Sequence, residues 1–151
     1  MSKIKLKIAT PERIVFEEEI DQITLPTKMG EITILPNHLP LVSTLVPGEI
    51  LFKKEGQEIP MVVSGGFVEF NNNILTILAD TAERIEEIDE LRAEEGRKKA
   101  KELLARKQDM DEVDFTALSV QLEKELARIK VAKKYKKFRP RPEIQREEDN
   151  M

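Results

Sequence analysis

The sequence predicts an α+β protein: an N-terminal antiparallel β-sandwich or barrel followed by a C-terminal antiparallel two-helix hairpin. Three observations carry this expectation. Residues 3–8 alternate lysine with Ile4, Leu6 and Ile8, the period-two pattern of a strand with one face buried. Charge density then changes along the chain: 20 of the first 84 residues are charged, against 34 of the last 67. An organisational boundary therefore falls between Asp80 and Ile88. Beyond it, apolar residues recur at intervals of three and four, the spacing of a helix with one narrow apolar stripe.

Short apolar runs at 20–25, 32–35, 49–52, 60–63, 67–70 and 74–79 continue the strand grammar, with turn residues between them. Segments 53–57 and 71–73 are predicted hairpin loops, because glycine and asparagine tolerate the positive φ of tight turns. Many short strands at close spacing argue for a sandwich or barrel. In the second half, Ala93, Gly96, Ala100, Leu103 and Leu104 mark a helix from Asp89 to about Gln108. Phe115, Leu118, Leu122, Leu126, Ile129 and Ala132 mark another, ending near Phe138. Asp89 and Asp114 are the expected N-caps, with Ile88 stapled against Ala93 one turn on. The connector 109–114 is short enough to make the helices antiparallel neighbours. The expected division is 1–86 for the β body, 87–138 for the hairpin and 139–151 for a charged, proline-containing tail predicted to be disordered. Narrow apolar stripes offset little of the entropy of ordering a helix, so the hairpin is expected to need the body, a ligand or a partner to hold one pose.

The composition excludes several functions. A chain of 151 residues holds one domain with a small appendage, not two large domains. With no cysteine, a thiolate nucleophile, a disulfide framework and a Cys-ligated zinc site are ruled out. No apolar run approaches the roughly 20 residues of a bilayer span, and the N-terminus lacks the apolar run of a signal peptide. A soluble cytoplasmic protein, able to dock onto a membrane complex, is expected. His38 is the sole histidine and sits between Pro36 and Pro40; without a second ligand or a relay partner, it reads as a loop residue. Ser64, followed by Gly65 and Gly66, lacks the spacing of a nucleophile elbow, and the glycines suit a bulge or tight corner. No Walker-type phosphate loop is present. The chain is expected not to be an enzyme.

Several runs, in matching order and spacing from about residue 3 to 135, resemble the epsilon subunits of bacterial and chloroplast F-type ATP synthases. They are 31–41 (EITILPNHLPL), 63–69 (VSGGFVE), 78–83 (LADTAE) and 88–93 (IDELRA), with Ala9-Thr10-Pro11-Glu12 and Val15-Phe16 ahead of them. The resemblance implies a non-catalytic rotor subunit of the central stalk. Its sandwich would bind the gamma subunit and sit on the c-subunit ring, with Glu31 and His38 facing that ring. Its helices would extend toward the catalytic β subunits and inhibit ATP hydrolysis, using basic residues drawn from Lys130, Lys133, Lys134, Lys136, Lys137, Arg139 and Arg141. The location implied is peripheral, on the cytoplasmic face of the cell membrane.

No cofactor is implied as a requirement, but ATP is implied as a regulatory ligand. Ile88 and Ala93 would wall the adenine, Asp89 and Arg92 would hydrogen-bond it, and Lys99, Lys124 and Arg128 would meet the phosphates, with Glu83 nearby. Lys99 and Lys124 stand where the strongest nucleotide binders of the family carry arginine; they keep the charge and lose the bidentate fork. A plain capped helix with an Asp89–Arg92 contact accounts for the same residues. The competing functional reading is a stand-alone β-sandwich module with a basic helical arm for RNA or another acidic partner. Against nucleic acid stand a net charge of −4, a sequence pI near 5.3 and few stacking aromatics.

Overall fold

The computed structural model describes residues 2–106 and 111–135, with Val113 described by its backbone alone. Among these residues are ten strands: β1 (Ile4–Ala9), β2 (Ile14–Ile20), β3 (Gln22–Thr27), β4 (Gly30–Ile34), β5 (Leu41–Leu45), β6 (Gly48–Lys54), β7 (Gln57–Val63), β8 (Gly66–Asn71), β9 (Ile74–Ala79) and β10 (Ala82–Arg84). A 3-10 turn at Ile85–Glu87 leads into two helices, α1 (Glu90–Ala105) and α2 (Glu112–Lys134). The last residues expected for α2 and the charged tail lie outside the described residues, as do the end expected for α1 and the first two residues of the connector.

The strands run in the order β10-β7-β6-β3-β5-β8-β9-β1-β2, with β4 added beside β3. Two layers result, joined where Thr27 at the end of β3 meets Leu45 at the end of β5. Alternate residues of both layers turn inward: Ile4, Leu6 and Ile8 from β1, Ile23 and Leu25 from β3, Ile50 and Phe52 from β6, and Leu75 and Ile77 from β9 are all essentially inaccessible. The rings of Phe16 and Phe52, on β2 and β6, approach to 4.7 Å between centroids. Nearby, the Lys54 ammonium donates to the Glu18 carboxylate and ties β6 to β2.

The hairpin loops follow local chemistry. Glu55 and Gly56 (φ 51° and 78°) and Asn72 and Asn73 (φ 49° and 61°) each supply the paired positive φ of a two-residue turn. One pair departs from the antiparallel expectation: β1 lies parallel to β9, Lys5 opposite Ile74 through Ala9 opposite Leu78. The two strands are far apart in sequence, so no tight turn dictates their direction, and β1 covers an edge of β9 that would otherwise expose unpaired backbone groups.

Three strands are not apparent in the sequence pattern. In β2 the run Glu17, Glu18, Glu19 hides the alternation, and only Phe16 and Ile20 are buried; the predicted run at 20–25 is broken at Asp21, where β2 ends and β3 begins. β5 and β10 are short, and their residues are fixed by neighbours rather than by local pattern. The start of α2 also differs from expectation. Its N-cap is Asp111, whose Oδ1 accepts the Asp114 N–H at 2.9 Å, so Asp114 lies inside the first turn. Asp89 caps α1 as expected, accepting the Arg92 N–H at 3.1 Å.

Gly65 and Gly66 form the corner that carries β7 into β8, at φ 116° and 142°. A Cβ at Gly66 would stand 2.1 Å from the Leu78 carbonyl oxygen, whereas one at Gly56 would meet nothing within 4 Å. Gly66→Ala is expected to cost more than about 3 kcal/mol, or to prevent folding, while Gly56→Ala should cost about 1 kcal/mol. Urea unfolding of the two variants beside the parent checks this; equal losses would show that the corner tolerates a side chain.

Candidate functional site

A single cross-strand row on the outer face of the first layer receives the hairpin. Glu83 on β10 is opposite Val62 on β7, and Val62 is opposite Glu49 on β6. Val62 is only 3% exposed although its neighbours Met61 and Val63 already point into the core. It is covered by an apolar cluster with Ile85, Ile88, Val131 and Ala132. To one side, Glu83 accepts from Arg128 at 3.1 Å. On the other, Glu49 accepts from Lys134 Nζ at 2.8 Å and from the Tyr135 hydroxyl. Arg128, Val131, Ala132 and Tyr135 are spaced i, i+3, i+4, i+7, one face of a helix. Apolar contact at the centre and a carboxylate at each side thus fix both the position and the register of α2.

The hairpin's inner seam is small. Ala93 and Ala100 of α1 are buried, and Gly96 lets Glu125 of α2 cross closely, with a Cβ at Gly96 standing 3.1 Å from the Glu125 carboxyl carbon. The expected stripe of α2 is only partly covered: Phe115 and Leu126 are 37% and 46% exposed, and burial is concentrated at Ile129, Val131 and Ala132. Between the helices a cleft of about 580 Å³ is lined by Arg92, Glu95, Gly96, Lys99, Gln121, Glu125 and Arg128. The structure therefore brings together Arg92, Lys99 and Arg128 from the expected nucleotide set. Lys124 does not line this cleft. Asp89 serves as the helix cap, Ile88 is buried against the β body, and Ala93 is fully buried. In this conformation neither Ile88 nor Ala93 presents an apolar face to a ligand.

Of the other expected contact residues, Glu31 is exposed near the start of β4, and His38 is exposed in the loop that follows β4. The His38 ring donates from Nδ1 to the Leu39 carbonyl at 2.8 Å and lies edge-on to Phe70. Its loop is pinned by reciprocal contacts between Asn37 and Asn73. Ser64 is spent structurally, accepting the Thr81 N–H at 2.9 Å. On the outer face of the second layer, Phe67, Leu78 and Ile14 are 60%, 56% and 52% exposed. They share one cross-strand row, Phe67 opposite Leu78, Leu78 opposite Ala9, Ala9 opposite Ile14.

Glu49, Val62, Glu125 and Tyr135 belong to this arrangement although their sequence positions did not single them out. One signal was available: Met61-Val62-Val63 is apolar without alternation, the mark of a strand covered on both faces. The partners of Glu49, far away in sequence, left no such mark.

Burial, then the Glu49 hydrogen bond and charge, push the Tyr135 phenol above its ordinary value of 10.0. The Glu49 hydrogen bond, opposed by burial, also raises Lys134 above 10.5. Both folded values are raised, so this tether is fully present below the ordinary values and lost as pH rises through the folded ones. Docking is therefore insensitive to pH near neutrality and weakens above about pH 10. Tyr135 is the only tyrosine in the chain, which makes phenolate absorbance a direct readout. Its midpoint is expected above 10 in the parent and closer to 10 in Glu49→Gln, with α2 amide protection near Tyr135 reduced by about 1 kcal/mol. Superimposable titrations would remove Glu49 from the tether.

Comparison with known proteins agrees with this architecture. Residues 3–85 match the family model described as ATP synthase, Delta/Epsilon chain, beta-sandwich domain, and residues 86–133 match ATP synthase, Delta/Epsilon chain, long alpha-helix domain. The chain is 43% identical over 130 residues to the ATP synthase epsilon chain of Herpetosiphon aurantiacus, covering 86% of this chain and 94% of that one. It is 44% identical over 133 residues to that of Chloroflexus aggregans, covering 88% and 94%. Among solved structures it resembles a chain of the Euglena gracilis mitochondrial ATP synthase OSCP/F1/c-ring assembly, with a TM-score of 0.72, 27% identity and coverage of 84% and 79%. A chain of the Tetrahymena thermophila mitochondrial ATP synthase central stalk and c-ring shares the fold, at a TM-score of 0.64 and 18% identity over 87% and 97%. None of these findings supports the nucleic-acid reading. With the two family models together matching residues 3–133 and relatives covered over 94% of their length, the chain belongs to the epsilon-chain family of ATP synthases, as a non-catalytic subunit.

Proposed function

We propose that the β body is a rigid rotor adaptor between the gamma subunit and the c-subunit ring, and that the hairpin is a releasable brake on ATP hydrolysis. The observation that carries the brake is the row Glu83, Val62, Glu49, because it holds α2 through one small apolar cluster and two carboxylates. An arm so held is docked without being built into the core. Release would uncover charge as well as surface: Lys134 is bound to Glu49, and Lys133 lies 3.7 Å from Glu94 while docked. Freed, these cations and Lys130 suit acidic segments of the catalytic β subunits. ATP at the cleft of Arg92, Lys99 and Arg128 would act as an effector on this equilibrium, since these residues offer phosphate-binding cations.

For the body, the exposed row Phe67, Leu78, Ile14 is the natural seat for gamma, being an apolar strip that exposed Val42 and Ile74 extend on the same sheet face. Glu31 on β4 and His38 in the loop after it are exposed polar residues that suit the polar loops of the c ring. These contacts would hold the protein peripherally at the cytoplasmic face of the membrane; no helix among the described residues is long and apolar enough to cross a membrane.

Two experiments test these assignments. Phe67→Glu is expected to weaken capture by gamma at least about thirtyfold, as loss of a central apolar anchor does, with the fold intact by circular dichroism; unchanged capture would move the gamma seat elsewhere. A chain ending at Glu87 should still assemble with gamma and the c ring while raising ATP hydrolysis by the complex severalfold. Equal hydrolysis with and without the hairpin would refute the brake.

A further inference from the structure

The inter-helix cleft already contains an anion of its own. Arg128 Nη1 donates to both oxygens of Glu125, at 3.2 and 3.5 Å, while Nε and Nη2 donate to Glu83 at 3.3 and 3.1 Å. All three guanidinium nitrogens are thus engaged by carboxylates. By contrast, Arg92 and Lys99 enter no ion pair among the described residues, although both line the same cleft. The Glu125 side chain is 15% exposed and lies against Gly96, on the α1 wall of the cleft. Its carboxylate thus shares the cleft with the Arg128 it pairs and with two cations that enter no ion pair among the described residues.

We infer that Glu125 is an internal competitor for the phosphate seat: its carboxylate holds Arg128 in the place a nucleotide phosphate would take, so binding requires its displacement. This rests on the proposal that the cleft takes ATP, and it adds a residue that sets how tightly. The chemistry is an exchange of one anion for another at a guanidinium, without covalent change. Before exchange, Glu125 both neutralises Arg128 and repels an incoming phosphate; after exchange, the phosphate gains Arg128 together with Arg92 and Lys99. Glu95 lines the cleft as well but enters no ion pair among the described residues, so it contributes repulsion without occupying a donor.

Calorimetric titration of the full chain with ATP separates these roles. Glu125→Gln, which keeps the shape and removes the charge, is expected to bind ATP about tenfold tighter than the parent, the size of one partly buried charge pair. Glu95→Gln should tighten it less than about threefold, as a loss of general repulsion does. Glu125→Ala is a second variant with the same expected direction, and circular dichroism reports whether each retains the parent's helix content. Equal tightening in the Glu125 and Glu95 variants would reduce Glu125 to background charge and overturn the inference. Parent binding with unchanged or weaker binding by both Glu125 variants would also overturn it, leaving the ATP proposal standing. Absence of binding in the parent and in every variant would instead overturn the ATP proposal, and this inference with it.

Discussion

The row Glu83, Val62, Glu49 is the constraint on which the placement of the hairpin depends. Three residues, one from each of three neighbouring strands, are aligned by backbone pairing alone. A rigid sheet therefore supplies their spacing, and the helix has only to match it. Arg128, Val131, Ala132 and Tyr135 do so with the natural repeat of a helix face. Burial of Val62 supplies the attraction, and the two flanking carboxylates supply the register, since a slip of α2 by one residue would leave both without their partners. The arrangement is specific without being extensive.

Rigidity of the body has a different origin. Two layers are joined through one backbone position, Thr27 against Leu45, and their other margins are drawn together by Phe16 with Phe52 and by Lys54 with Glu18. Core residues from both layers are almost wholly excluded from water, and an interior packed to that degree transmits force with little deformation. The hairpin shares none of this core: its apolar contacts form a separate small cluster. One chain thus holds a stiff part and a lightly attached part, each with its own source of stability.

Much of the body was legible because period-two alternation and turn chemistry are local. Ile4, Leu6 and Ile8 declare their strand, and Gly56 and Asn72 declare their turns. Illegible features were those settled at long range. The acidic run of β2 is written on the solvent side of a strand whose pairing comes from β1, and the parallel direction of β1 beside β9 reflects the whole sheet. The hairpin's existence was legible, whereas its register was not, because Glu49 and Tyr135 meet only in three dimensions. In the cleft, the positive residues were visible in the sequence. Glu125 pairs with Arg128 at i,i+3 within α2, whereas the contact of Arg128 with Glu83 was visible only once α2 and β10 were brought together.

The parallel seating of β1 also bears on how the molecule is born. Its hairpin mate β2 is available at once, but its other neighbour, β9, is made only after most of the body has left the ribosome. Closure of the second layer must await that late arrival, a non-local pairing of the kind that slows folding. The helices follow β9 and β10 in the chain, so during synthesis α2 emerges toward a platform whose strands are already complete. A nascent chain built in this order finishes its shaft before it acquires its arm.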